Sequence, residues 1–229
     1  IVTPAFSLDG DFINFSDDER LAIQSIWEHV SEDFRPFDVD VTTQDPGADA
    51  LRNTFPTDGV DDQWGIRVVI GGSDLDWQRP VTGHASGGIA YLTSFHDDVD
   101  QPAFVFAADF GLAISDIAEA ASHETGHTLG LSHDGLIWFW QDSMDMKFHQ
   151  ESVEYYAGHP YYDPMDGRIP LSTDWAPIMG VSYGRPLSQW SKGEYPGANN
   201  IQDDLLTITP DNGFGWRADD HGDTRQTAD

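Results

Sequence analysis

The chain has 229 residues, of which 39% are hydrophobic and 12% aromatic, which excludes a disordered protein and allows one sizeable globular domain. Its 40 acidic residues outnumber its 11 lysines and arginines and give a formal net charge of −29, so we expect neither nucleic acid nor a membrane as a partner. The absence of cysteine excludes disulfides, thiolate metal ligands and cysteine nucleophiles within this chain.

The first half of the chain carries a pattern of helices and strands. Ser16-Asp17-Asp18-Glu19 is a capping box followed by apolar residues at helical spacing, so we predict an amphipathic helix over about 16–34. Short apolar stretches predict strands over 37–41, 66–70, 89–95 and 103–107. The helix formers of 113–131 predict a second helix, with Ser115 or Asp116 as its N-cap. This order indicates an α/β layer over roughly the first 130 residues.

The chain after residue 133 has a different texture. Residues 134–178 are rich in aromatic residues, glycine, proline and aspartate but lack regular periodicity, so we predict mostly loops held by aromatic packing. A short amphipathic helix is predicted over 201–206, and the polar C-terminal residues are predicted to be loosely held. Neither an internal repeat nor a low-complexity linker divides the chain, which favours a single domain.

The stretch His123-Glu124-Thr125-Gly126-His127-Thr128-Leu129-Gly130-Leu131-Ser132-His133 predicts a metal site. His123 and His127 are four residues apart, so a helix places both imidazoles on one face, about one turn apart. Glu124 borders that face and can reach a metal-bound water without ligating the metal. Gly130 can adopt a positive φ and turn the chain so that His133 becomes the third ligand. Three imidazoles leave one position open, which is typical of a catalytic zinc.

The alternative interpretation is a buried helix whose histidines are hydrogen-bonded core residues. A bare HExxH pattern occurs by chance often enough that it does not decide between these readings. The extended pattern fixes five positions, including the glycine and the third histidine, and therefore favours the metal site. The other histidines lack ligand-like spacing and are expected to be surface or hydrogen-bonded residues.

Residues 123–133 resemble the HExxHxxGxxH signature of the metzincin metallopeptidases. Asp134 is similar to the acidic residue that adamalysin-type (reprolysin-like) members carry after the third histidine, and Met179 resembles the methionine of the metzincin Met-turn. Three further segments resemble the substrate-binding edge strand, an inner strand and the C-terminal segment of bacterial reprolysin-like domains, namely 87–91, 37–43 and 189–195.

The resemblance implies an α/β (α+β) metzincin-like zincin fold. We expect an upper subdomain (1–133) with a twisted mixed sheet and the active-site helix, an irregular lower subdomain (134–210) with a C-terminal helix, and a polar tail (211–229). It implies a secreted, monomeric metalloendopeptidase with one catalytic Zn²⁺, which hydrolyses peptide bonds of protein or peptide substrates through a metal-bound water activated by Glu124.

The resemblance also implies roles for residues outside the motif. We expect Asp134 to make hydrogen bonds that fix the chain below the third ligand, and Met179 to form an apolar floor or simply fill the core. Gly88, Ile89 and Ala90 are expected to line the substrate. Some metzincins carry a zinc-reaching tyrosine two residues after the methionine. That position is Val181 here, so a metal or oxyanion role for Tyr183 is a hypothesis.

Two further possibilities stay open at the level of sequence. The acidic clusters could hold Ca²⁺, although none has EF-hand spacing and a solvated acidic surface explains them equally; the clusters are Asp9/Asp11, Asp74/Asp76 and Asp97/Asp98/Asp100. The same catalytic residues would also serve a zinc amide hydrolase with a non-protein substrate. A binding module that keeps its metal without turnover is the non-enzyme alternative.

Overall fold

The computed structural model describes residues 2–141, 148–158 and 174–218. The described helices are α1 (Asp17–Asp33), α2 (Phe55–Asp58), α3 (Gln78–Thr82), α4 (Ile114–Thr128) and α5 (Asp204–Ile208). The described strands are β1 (Val68–Ile70), β2 (Gly88–Ile89), β3 (Ala103–Val105), β4 (Leu136–Gln141), β5 (Phe148–Val153), β6 (Trp175–Pro177) and β7 (Leu187–Gln189). The architecture is therefore mixed α and β, and none of the described helices is long and apolar enough to cross a membrane.

The predicted N-terminal helix and its capping box are confirmed. The Ser16 side chain accepts a hydrogen bond from the Glu19 N–H, and the Glu19 carboxylate accepts one from the Ser16 N–H at 2.8 Å. Glu19 also accepts from the Leu8 N–H at 2.7 Å, so it ties the N-terminal segment to the start of α1. The buried face of α1 packs against α4.

A three-stranded mixed sheet lies beside these two helices. Its order is β1-β3-β2, with β1 parallel and β2 antiparallel to β3, so β2 forms an edge of the sheet. Residues from α1, β3 and α4, including Ile26, Val105 and Ile117, form a common buried core. Burial of this apolar surface, at about 25 cal/mol per Å², is what holds helices and sheet together.

Two of the four predicted strands are confirmed over shorter spans, 66–70 as β1 and 103–107 as β3, and the other two are wrong or much too long. Over 37–41, only Phe37 makes a β-bridge, with Trp216, and the alternating apolar residues instead pack into a second core. The proposed inner strand over 37–43 is therefore not formed. The strand predicted over 89–95 stops at Ile89, because Thr93 has a φ of 62° and a short 3₁₀ turn follows.

The region after residue 133 contains more regular structure than its sequence indicates. β4 and β5 form an antiparallel hairpin with Leu136 opposite Val153, and β6 and β7 are parallel, so the prediction of mostly loops over 134–178 is wrong within the described residues. The continuous apolar run of β4 lacks the alternation that would identify a half-buried strand.

The C-terminal segment contains the predicted short helix at a shifted position. α5 lies over 204–208 and not 201–206, because the Asp203 side chain caps it by accepting from the Leu206 N–H. The predicted polar tail is partly packed: Asn212 is buried and donates to the carbonyls of Leu129 and Ile208. The remainder of that tail, 219–229, lies outside the described residues.

Candidate metal centre

The helix α4 and the turn after it bring the three predicted histidine ligands together. α4 begins at Ile114 without a side-chain cap, so neither Ser115 nor Asp116 caps it. Gly130 has a φ of 97°, as predicted, and its N–H donates to the His127 carbonyl at 3.0 Å. The turn returns His133 to the helix, where its Nε2 lies 2.9 Å from Nε2 of His127.

The three imidazoles form a metal-ligating group. One nitrogen from each of His123, His127 and His133 lies within 4.8 Å of the other two. Zinc–nitrogen bonds of ~2.0–2.1 Å separate neighbouring ligand nitrogens by a little over 3 Å, so the 2.9 Å pair of His127 and His133 must separate slightly and the longer distances must shorten around an ion. Within the described ranges, this is the only group of three or more histidines, aspartates or glutamates close enough to share a metal.

The other nitrogen of each ring is already held by an acceptor. Nδ1 of His123 lies 2.8 Å from the Ile178 carbonyl, and Nδ1 of His127 lies 2.9 Å from the Leu131 carbonyl. Nδ1 of His133 lies 2.7 Å from Oε1 of Glu154. Carbonyl and carboxylate oxygens only accept, so each Nδ1 carries the hydrogen and each Nε2 keeps its lone pair. These residues therefore fit a metal ion, although the structure identifies no particular element.

Burial keeps two of the rings neutral. Burial, and then the neighbouring His127 ring, lower the pKa of His123 to about 3. Burial also lowers the pKa of His127. Neutral imidazole is the form that binds metals, so both rings are ready to ligate at neutral pH.

Glu124 lies beside the histidines and against the edge strand. Its side chain is only 7% exposed, and burial raises its pKa to about 8. A Cβ placed on Gly88 would lie 2.6 Å from Cγ and Oε1 of Glu124, so β2 lies directly against this carboxylate. The predicted edge segment is thus adjacent to the predicted base, with Ile89 in β2 and Ala90 immediately after it.

Met179 lies beneath α4, as predicted for an apolar floor. It is fully buried and belongs to the cluster that includes Leu129 and Leu131. A Cβ on Gly126 would lie 2.5 Å from its sulfur, so the helix and the methionine are in direct contact. Its turn also supplies the Ile178 carbonyl that holds His123.

Asp134 fixes the chain below His133 through hydrogen bonds of its backbone. The Asp134 N–H donates to the Met179 carbonyl, and its carbonyl accepts from the Tyr156 N–H. Its carboxylate is fully buried, and this burial raises its pKa to about 7 although the Asn200 side chain opposes the shift.

Tyr183 lies near the site without a demonstrated contact to the histidines. Its ring packs edge-on against Phe110 with a centroid separation of 5.1 Å, and the residue is 37% exposed. Burial and then the charge of Glu124 raise its pKa well above the ordinary tyrosine value. Its catalytic role stays a hypothesis.

The acidic clusters make local hydrogen bonds. Asp9 and Asp11 accept from backbone N–H groups of their own loop, and Asp76 accepts from the Ser73 N–H. Asp74 pairs with Arg79 at 2.7 Å. In the third cluster, Asp97 accepts from the Gln101 amide and Asp100 pairs with Arg67 at 3.4 Å. Bonds of this kind stabilise loops without a metal ion.

Sequence reasoning did not identify Glu154 and Tyr155 as site residues. Glu154 holds Nδ1 of His133, and the Tyr155 ring lies 4.3 Å from the His133 ring and 6.2 Å from the His123 ring. Burial, and then the charges of Glu154 and Glu124, raise the pKa of Tyr155 to about 12. Both residues follow the motif at some distance along the chain, and the β4–β5 hairpin brings them back to it. In the sequence, only the aromatic pair Tyr155-Tyr156 indicated this region.

No protein-family model matches this chain, and no curated protein sequence is significantly similar to it.

Proposed function

We propose that this protein is a zinc-dependent endopeptidase of the metzincin type. The observation that carries the proposal is the convergence of three histidine Nε2 atoms whose Nδ1 atoms are all engaged, beside a buried glutamate and an open sheet edge. We assign the chain a metzincin-like zincin fold, with subdomains 1–133 and 134–210, on the same grounds and on the turn that carries Met179.

His123, His127 and His133 would hold the metal. A bound zinc ion supplies a Lewis acid that polarises a carbonyl and lowers the pKa of water. Zinc is the element proposed because three imidazoles and an open position are typical of catalytic zinc sites, although imidazole also suits copper, nickel and iron.

Glu124 is proposed as the proton carrier of the reaction. Its carboxylate accepts a proton from the attacking water and then donates it to the nitrogen of the leaving amine, so one group serves both steps. Burial alone favours its neutral form, with a pKa of about 8. A dication held by the neighbouring histidines would favour the charged form that a base requires.

The edge strand favours a peptide over a small amide as the substrate. Among the strands that the structure describes, β2 is hydrogen-bonded only to β3, so its outer edge can pair with an extended peptide backbone. Gly88 has no side chain to separate this edge from Glu124. A peptide paired with β2 would therefore pass close to the proposed base.

The test compares Glu124→Gln with the parent protein. Metal content by mass spectrometry and cleavage of a proteome-derived peptide library are measured for both, with the exposed Glu28→Gln on α1 as the control. We expect one zinc per chain in all three and a loss of cleavage of about 10²–10⁴-fold in Glu124→Gln only.

The other outcomes separate the alternatives. A Glu124→Gln protein that cleaves at the parental rate would refute its role as base. Zinc without cleavage in the parent, together with tight peptide binding, would favour a binding module. A different metal, or none, would refute the zinc assignment.

A further inference from the structure

The third ligand differs from the other two in what orients it. His123 and His127 project from α4 and donate to backbone carbonyls, which the fold holds in place. His133 lies beyond the glycine turn and is oriented through the Glu154 side chain, which is 65% exposed. The orientation of this ring therefore depends on a side chain that folding does not bury.

Hydrogen bonds hold the main chain on both sides of His133, but they do not set the orientation of its ring. The Ser132 N–H donates to the Gln202 side chain at 2.9 Å, and the Asp134 N–H donates to the Met179 carbonyl at 2.8 Å. These bonds hold the main chain on both sides of His133. Rotation about the side-chain torsions of His133 is restrained instead by the contacts of its ring with Glu154 and Tyr155, in addition to those with the other two histidines.

The hairpin register explains why Glu154 reaches this ring. Leu136 is paired with Val153 at the end of β5, so the next residues run back alongside 133–135. A Cβ on Gly135 would lie 2.6 Å from the Glu154 carbonyl, and the Tyr156 N–H donates to the Asp134 carbonyl. The chain after β5 is thus held against the third ligand by backbone contacts, and Glu154 and Tyr155 are presented to its ring.

We propose that Glu154 is a positioning residue for the metal centre, which fixes the tautomer and orientation of His133 while the Tyr155 ring packs against its face. The inference rests on the proposed metal site but not on peptide cleavage. A carboxylate that accepts from a ligating imidazole makes the opposite nitrogen a better ligand, and loss of such a partner typically reduces metal affinity by 10–100-fold. The hairpin would in this way control how firmly the protein retains its metal.

The experiment measures zinc affinity and metal release in Glu154→Ala and Glu154→Gln. Zinc-free proteins are titrated with Zn²⁺ against a chromophoric chelator, and the absorption spectrum of each Co²⁺-loaded protein reports ligand geometry. We expect the zinc dissociation constant to rise about 10–100-fold in Glu154→Ala, with a changed cobalt spectrum. Glu154→Gln keeps an acceptor oxygen but loses the charge, so its affinity should lie between that variant and the parent.

Matched variants separate positioning from folding. Glu194→Ala removes another exposed carboxylate, which pairs with Lys192, and should leave zinc affinity unchanged. Tyr155→Phe keeps the ring that packs against His133, whereas Tyr155→Ala removes it, so Tyr155→Ala should release zinc faster than Tyr155→Phe does.

Two results would overturn the inference. One is a zinc affinity of Glu154→Ala within two-fold of the parent with an unchanged cobalt spectrum. The other is an equal loss of thermal stability in the metal-free Glu154→Ala and Glu154→Gln proteins without a change in affinity, which would assign Glu154 to folding. A parent that binds zinc without cleaving peptides would refute the proposed enzyme function and leave this inference to be decided by the affinities.

Discussion

A single methyl group added at Gly88 tests whether the edge strand and Glu124 act together. The new Cβ would lie 2.6 Å from Cγ and Oε1 of Glu124 and 2.7 Å from the Phe104 carbonyl, which are too short for van der Waals contacts. Ordinary contacts begin near 3.4 Å, so the carboxylate or the strand must move by roughly 0.8 Å, and misplacement on this scale can reduce turnover about 10²-fold. We therefore expect Gly88→Ala to bind zinc normally and cleave peptides about 10²-fold more slowly.

The assay measures kcat/KM on one cleaved peptide, zinc content and thermal unfolding for Gly88→Ala. Gly65→Ala is the matched control, because a Cβ at Gly65 meets no atom within 4 Å and its φ is not positive. Overpacking typically costs about 1–3 kcal/mol, so some loss of Tm is expected in Gly88→Ala. Parental kcat/KM in the folded, zinc-loaded variant would refute the placement of Glu124 against β2 as a catalytic requirement.

Two further predictions concern the interior beneath the site. Met179→Ala should leave a cavity below α4 and reduce the free energy of unfolding by about 2–5 kcal/mol, whereas Met179→Leu should reduce it by less than about 1.5 kcal/mol. Urea unfolding measures both values. Equal losses in the two variants would contradict the interpretation that Met179 simply fills this space. Asp204 is fully buried, and burial raises its pKa from 3.8 to about 8, so its contribution to stability is complete below pH 3.8 and is lost as the pH rises towards 8. Asp204→Asn should therefore gain Tm relative to the parent between pH 5 and pH 9, and a pH-independent difference would contradict the assignment.

The geometry of the histidine group could be predicted because it is encoded over eleven consecutive residues. The helical period fixes the relation of His123 to His127, and a glycine with positive φ is the simplest way to return His133 to the helix. The amphipathic helix α1 was predictable for the same reason, since its cap and its periodicity are local. Local geometry needs no knowledge of distant contacts.

The errors arise where tertiary packing decides between local alternatives. The alternating residues of 37–41 satisfy a strand pattern, but they pack into the core with α5 and the C-terminal aromatic residues and form only the Phe37–Trp216 bridge. The apolar run of β4 has no strand periodicity and still forms a hairpin because β5 supplies the partner.

The metal centre combines both kinds of information. The motif specifies the three side chains that could hold a metal ion, but each ring has two nitrogens, and nothing within the helix chooses between them. The choice is made by acceptors, and those for His123 and His133 lie 55 and 21 residues away in sequence, in the turn at Met179 and after β5. The acceptor for His127 is four residues away, in the glycine turn. The segments after residue 133 therefore select the ligating nitrogen of two histidines, so the proposed active-site helix needs them for its chemistry as well as for its stability.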